Sequence, residues 1–391
     1  MGGRPGRRGR GARSPGVDVD LTTRVGPVVL PNPVMTASGT SGHGVELAAY
    51  FDLSLIGAVV VKSLSVEPWA GNRAPRLLPV AAGMLNSVGL QNPGIDSWLE
   101  EDLPALARAG ARVVVSVWGR SAGDFAEVGR RLAQVVAAPR SGLPIVAVEA
   151  NISCPNVEDR DRMFSHSTEA TSAAVGALAA ALTSTGWPVW AKLSPNVTDL
   201  VAIAGAALGS GAGGLTLVNT MMGLAIDPAS GLARLGAGGG GLSGPALHPI
   251  AVRAVFECRR AFPTTAIVGV GGVSTGHDAA ELLSAGANAV QVGTASFVDP
   301  RAPVRVQAEL ADWCAANGYR SVSQVVGLAQ RGLAPPDPAS PAPASQEGGP
   351  ASQEGGPASQ EGGPASQEGG PASQEGGTWS ADDVPTSRPG P

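Results

Sequence analysis

Between residues 17 and 330 the chain alternates eight times between two kinds of segment. The first kind is short and rich in β-branched and small apolar residues: NPVMTAS (32–38), LIGAVVVKS (55–63), RVVVSVW (112–118), PIVAVEANIS (144–153), PVWAKLS (188–194), GLTLVNT (214–220), TAIVGVGG (265–272) and AVQVGTA (289–295). The second kind, as in SAGDFAEVGRRLAQVV and DAAELLSAGA, repeats its apolar residues every three to four positions, the spacing of a helix with one buried face. A strand that is apolar on nearly every residue is buried on both sides, as in a parallel sheet covered by helices. Eight such units make the fold class α/β and predict a single (β/α)8 TIM barrel. A doubly wound Rossmann sheet is the alternative. It would carry GxGxxG after the first strand, where VMTASGTSG stands instead.

The ends do not share this pattern. Residues 1–16 hold five Arg and no acid, which predicts a disordered basic arm. Residues 331–391 have a net charge of −6 and repeat PASQEGG five times over 343–377. The repeat has no large apolar residue and buries too little to offset its chain entropy, so this stretch is expected to be a disordered tail. The barrel region, 17–330, keeps a net charge of −4, which offers no nucleic-acid footprint. No apolar run reaches the roughly 18–20 residues needed to cross a bilayer, and no secretory apolar region is found. The cysteines at 154, 258 and 314 form no CxxC and no metal-ligand spacing with the four histidines. A reduced, cytoplasmic protein without a metal site is expected.

In a barrel, chemistry sits at the C-terminal ends of the strands. Those ends carry Ser38-Gly39, Lys62-Ser63, Ser116, Asn151 to Asn156, Lys192, Asn219-Thr220, Gly271-Gly272 and Gly293-Thr294. The glycines after strands seven and eight fall where barrels bind phosphate on bare backbone N–H groups. Of 27 basic residues only Lys62 and Lys192 are lysine, and both close predicted strands. A slim ammonium stem enters narrow pockets that a guanidinium fork does not. Two uses compete. A Schiff-base aldolase would need one lysine as nucleophile; a flavin enzyme would use lysine to stabilise negative charge on the reduced ring. Beside them, NISCPN sets Cys154 among asparagines at the end of strand four, whereas Cys258 and Cys314 fall in helical patterns and read as packing. A thiol, with a reference pKa of about 8.5, is a few per cent thiolate at neutral pH and can act as a base. His43, His248 and His277 fit helix starts, and His166 lies in the polar segment VEDRDRMFSHS, which could serve as a lid.

Taken together, NISCPN, MLNSVGLQNPG (84–94), VVVKS, AKLSPN (191–196), LVNT, GGLSGP (240–245), VGVGGV (268–273) and QVGTA stand in the order and spacing of the class 1 dihydroorotate dehydrogenases. The pattern most resembles class 1B, over residues 17–328. The resemblance implies one FMN per chain and oxidation of (S)-dihydroorotate to orotate in pyrimidine biosynthesis. Cys154 resembles the base that takes the C5 proton. Lys62, Asn86, Ser87, Val88, Gly89, Leu90, Asn151, Asn156, Asn219 and Thr220 match substrate-contacting positions. Ser38, Lys62, Ser63, Ser116, Asn151, Lys192, Val218, Gly244, Gly271, Gly272, Gly293 and Thr294 match FMN-contacting positions, with Ser116 in place of the family's usual Asn. The run GAGGGGLSG (236–244) reads alone as a flexible loop, its Gly244 end expected near the FMN phosphate. Class 1B further implies a homodimer, or a heterotetramer with a second subunit carrying FAD and an iron–sulfur cluster, since no NAD fingerprint or cysteine quartet is found here. Rival readings are a soluble-acceptor enzyme, a dihydropyrimidine dehydrogenase-like or paralogous FMN oxidoreductase acting on another cyclic imide, and a non-catalytic FMN-binding scaffold.

Overall fold

The computed structural model describes residues 18–137, 142–156 and 162–333. The arm and the PASQEGG tail lie outside the described residues. Eight parallel strands form one sheet: β1 (Val34–Thr36), β2 (Val59–Val60), β3 (Val113–Val117), β4 (Ile145–Asn151), β5 (Val189–Leu193), β6 (Gly214–Leu217), β7 (Ala266–Val270) and β8 (Ala289–Val292). They run in chain order around the sheet, β8 pairs with β1, and a bridge between Met35 and Ala58 joins β1 to β2. The barrel is therefore closed, and a closed sheet leaves no unpaired edge. Each strand falls inside one of the eight predicted runs. The second is shorter than its run, because Leu53–Leu55 forms a 3-10 turn capped by the Asp52 side chain.

Alternation decides what the barrel holds. Successive side chains on a strand point to opposite faces, so Ala147, Glu149 and Asn151 on β4 share one face, as do Trp190 and Lys192 on β5 and Ala289 and Gln291 on β8. Toward the strand starts this face is apolar: Met35, Ala58, Val60, Val114, Ala147, Trp190, Ala266, Val268 and Ala289 form one buried cluster. Toward the strand ends it turns polar, with Ser116, Glu149, Asn151, Lys192, Thr216 and Gln291 all buried. The larger core lies between the sheet and its helices, among them Ala122–Ala137, Thr168–Leu182, His248–Ala261, Gly276–Ala285 and Ala302–Ala316. Side-chain caps start several of these helices. Ser167 accepts from Ala170 N, and Thr275 forms a capping box with Asp278.

Two accessory pieces were not foreseen from the alternation of βα units. A hairpin, Thr23–Val25 with Val28–Leu30, turns on Gly26 at φ +62 and packs Val25, Val28 and Leu30 into the apolar cluster, closing the N-terminal end of the barrel. At the opposite end a four-stranded antiparallel sheet is built from Leu77–Val80, Gly83–Asn86, Gly240–Ser243 and Met221–Gly223. The GAGGGGLSG run is thus partly a strand, not a loop. Its glycines permit close approach: a Cβ on Gly240 would lie 2.4 Å from Asn86 O, and one on Gly241 would lie 2.1 Å from Thr220 Oγ1. If the hairpin seals the barrel, Leu30→Ala should lower unfolding free energy by about 2–5 kcal/mol, the range for a buried leucine. Chemical denaturation measures this, and a loss below about 1 kcal/mol would show that the hairpin is peripheral.

Candidate active site

At the C-terminal ends of the strands, beneath the accessory sheet, lies a cavity of about 360 Å³, within the range of small-ligand sites. It brings together Ser38, Lys62, Ser63, Asn86, Ser87, Val88, Gly89, Leu90, Asn151, Lys192, Val218, Asn219, Thr220, Gly244, Gly271, Gly272, Gly293 and Thr294. Residues scattered over more than 250 positions therefore line one space.

Its polar wall is a hydrogen-bonded chain. Asn219 Nδ2 donates to Asn151 Oδ1 (3.2 Å), Asn151 Nδ2 donates to Ser63 Oγ (3.1 Å), and Ser63 lies 3.2 Å from Ser38 Oγ. The wall formed by 86–90 is held from behind by buried Asn92, which sequence reasoning passed over. Its Nδ2 donates to Leu90 O (2.9 Å) and its Oδ1 accepts from Gly94 N (2.9 Å). That support matters because Leu90 has φ +62, a left-handed conformation that costs a non-glycine residue energy.

The two lysines meet at the cavity. Lys62 Nζ has no hydrogen bond or ion pair among the described residues. It lies along Gly39, where an added Cβ would stand 3.2 Å from the ammonium. Burial first, and the nearby Lys192 charge second, bring its pKa down from 10.5 to about 8. Lys192 is buried, with Nζ 3.5 Å from the wholly buried Glu149 Oε1.

Across the cavity the glycines form a bare cradle. Gly272 has φ +69, and a Cβ there would meet His248 Cβ at 2.7 Å and Gly244 O at 2.9 Å. At Gly271 a Cβ would meet Ala251 Cβ at 2.7 Å. Both glycines face the start of the His248–Ala261 helix, a place for an anion. Thr294 Oγ1 donates to Ser243 Oγ (2.8 Å) on the same side.

Three expected residues sit differently. Ser116 does not reach the cavity; it is buried behind Ser63, with the two Oγ atoms 2.9 Å apart. A shorter side chain than asparagine stops one hydrogen bond short of the wall. Asn156 falls in the short strand Pro155–Asn156, paired with Arg162–Met163, and its side chain is outside the described ones. Cys154 departs most. It is buried outside the cavity lining, and Sγ donates to Gly119 O (3.1 Å) and Asn151 O (3.2 Å). Burial pushes its thiol from 9.0 up to about 12, so the expected few per cent of thiolate at neutral pH is not met in this conformation.

Of the proposed lid, residues 157–161 lie outside the described residues. The part that follows is docked: Phe164 N donates to Cys154 O (3.3 Å) and the Phe164 ring stacks edge-on to Phe125. His166 is exposed and away from the cavity, while His248 bonds Gly271 O through Nδ1 (2.8 Å). Asn72 and Ser243 also line the cavity and were not singled out, since a lone asparagine or serine carries no signal of its own.

A closed barrel with two lysines and bare glycine backbone at the C-terminal ends of its strands is the architecture of a barrel enzyme. Residues 20–313 match the family model described as dihydroorotate dehydrogenase. The chain is 43% identical over 308 residues to the dihydroorotate dehydrogenase B (NAD(+)) catalytic subunit of Geobacter sulfurreducens, covering 79% of this chain and 97% of that one. It is also 43% identical over 314 residues to the subunit of the same name from Desulforudis audaxviator, covering 80% and 98%. A crystal structure of the Eimeria tenella enzyme with ferulenol shares the fold at TM-score 0.64 and 23% identity, over 81% of this chain and 90% of that one. The chain belongs to the dihydroorotate dehydrogenase family.

The three cysteines are free and buried. Native protein at pH 7 should therefore react slowly with a thiol reagent such as DTNB, and denatured protein at once at all three sites. A rapidly titrating thiol in native protein would contradict the placement of Cys154.

Proposed function

We propose that this cavity binds FMN and dihydroorotate together, and that the chain is the catalytic subunit of an NAD-linked dihydroorotate dehydrogenase in pyrimidine biosynthesis. The observation that carries the reading is the convergence of both lysines, the asparagine chain and the glycine cradle on one cavity in a chain of this family. FMN, when bound, supplies the hydride acceptor for C6 of dihydroorotate. The residues present fit it. Gly244, Gly271 and Gly272 line the cavity with backbone that can receive a phosphate, their missing Cβ atoms letting the start of the His248–Ala261 helix pack close behind, and Lys62 and Lys192 supply positive charge for an electron-rich ring.

The substrate is a cyclic imide with one carboxylate. Asn86, Asn151 and Asn219 offer donors and acceptors without charge, matching its N–H and C=O groups, and Lys62 offers a cation to the carboxylate. Cys154 takes the C5 proton. To do so its thiol leaves the Gly119 and Asn151 carbonyls and turns to the cavity, where the lysines favour the thiolate that burial now disfavours. The curated relatives are named catalytic subunits of an NAD(+) enzyme, which supports a partner subunit; in the proposed assembly that subunit carries FAD and an iron–sulfur cluster and passes electrons to NAD. Among the described residues no helix is long and apolar enough to cross a membrane.

Cys154→Ala should slow orotate formation about 10²-fold or more, the scale of a lost general base, while orotate affinity changes little; an undiminished rate would remove Cys154 from that role. The sign of the Lys62 effect follows from its pKa near 8: the ammonium is present below that value and is lost above it. Orotate affinity should hold below pH 8 and weaken above it by up to about tenfold per unit. In Lys62→Met it should be weak and flat across the same range. Dihydrouracil, which lacks the carboxylate, should not compete; equal turnover of both would favour a dihydropyrimidine dehydrogenase-like enzyme.

A further inference from the structure

Glu149 is the one buried carboxylate among the described residues, and nothing in the proposed reaction uses it. It stands on β4 two residues before Asn151, on the inward face just below the cavity. Gln291 Nε2 on β8 donates to its Oε2 at 2.8 Å. Its Oε1 has no hydrogen bond and faces Lys192 Nζ at 3.5 Å. A carboxylate removed from water is costly unless a cation and donors compensate it, and packing alone would be served better by an apolar residue. In register with it stand Trp190 on β5 and Ser116 on β3, neither of them charged.

What the site gains is a different net charge. Lys62 and Lys192 are close enough that the second depresses the first. Without Glu149 the cavity floor would hold two ammonium groups and no counter-charge. With it, Lys192 is paired and the floor carries one net positive charge.

We propose that Glu149 is a positioning residue that fixes Lys192 and sets the floor of the cavity to a single net positive charge, thereby tuning how strongly the site favours the reduced, electron-rich flavin. This rests on the FMN reading given above. Gln291 acts by orienting the carboxylate and carries no charge itself.

The test compares wild-type protein with Glu149→Gln and Gln291→Leu. In the FMN-bound proteins at pH 6, Glu149→Gln should shift the two-electron equilibrium toward reduced flavin by on the order of tenfold, or about 30 mV upward in midpoint potential. Gln291→Leu, which keeps the charge, should shift it by under about threefold. An unchanged or lowered potential in Glu149→Gln, or an equal shift in Gln291→Leu, overturns the proposal.

A second readout needs no flavin. The chain has only two lysines, so lysine labelled with ¹³C at Cε gives two resolvable signals in the apoprotein. In Glu149→Gln the first proton to leave the lysine pair should leave at lower pH than the value near 8 in wild type. An unmoved first step overturns the proposal even if no flavin binds, and a lowered one supports the charge role whatever the cofactor. If Glu149→Gln does not fold, Glu149→Met is expected to show the same two shifts. Failure of both variants to fold assigns Glu149 to the fold and overturns the proposal.

Discussion

Two buried ammonium groups held near each other at the floor of one cavity are the constraint on which the rest of the site depends. Like charges in such a place repel and are costly to desolvate. The structure meets this in two ways. Lys192 is paired with Glu149 inside the barrel, and Lys62, without an ion pair among the described residues, has its pKa drawn down to about 8. The residual positive charge is what an anionic ligand finds. The barrel makes the arrangement possible because its closed parallel sheet brings side chains near the ends of β4, β5 and β8, and Lys62 just beyond β2, to one end.

Around that charge the remaining parts have distinct duties. The asparagine–serine chain supplies neutral, directional contacts. The glycine cradle supplies backbone without side chains. Buried Asn92 holds a strained wall in place. Cys154, the base of the proposed reaction, has its sulfur facing two carbonyl oxygens and its thiol held protonated. Two changes are linked in bringing it to work, since leaving the carbonyls for the lysine-lined cavity both moves the sulfur and favours its thiolate.

Much of this was legible in the sequence. Period and apolar content gave all eight strands, because a doubly covered parallel strand leaves a plain signature in runs such as RVVVSVW. The rarity of lysine pointed to Lys62 and Lys192, strand-end position pointed to part of the cavity lining, and the family resemblance pointed to Asn86 to Leu90, Val218 and Gly244. What was not legible came from long-range pairing. The four-stranded sheet joins 77–86 to 221–243 across 155 residues at Asn86 and Gly241, and a glycine run such as GAGGGG has no apolar period to announce a strand. Glu149 was hidden inside PIVAVEANIS, where one acid in an apolar run reads as an irregularity until Lys192 and Gln291 are placed beside it. The direction of the Cys154 sulfur was hidden for a related reason. Pro155 biases the backbone to an extended path but leaves the preceding side chain free to face either the cavity or Gly119.

The central claim is that one cavity at the catalytic end of this barrel holds a flavin and a dihydropyrimidine carboxylate close enough to exchange a hydride. Anaerobic addition of dihydroorotate to the purified protein, followed by visible absorbance, tests it most directly. The account predicts a yellow protein whose flavin band, near about 450 nm, is lost as one equivalent of substrate is added. A colourless protein that takes up no FMN, or a yellow one that dihydroorotate leaves unbleached, would contradict it.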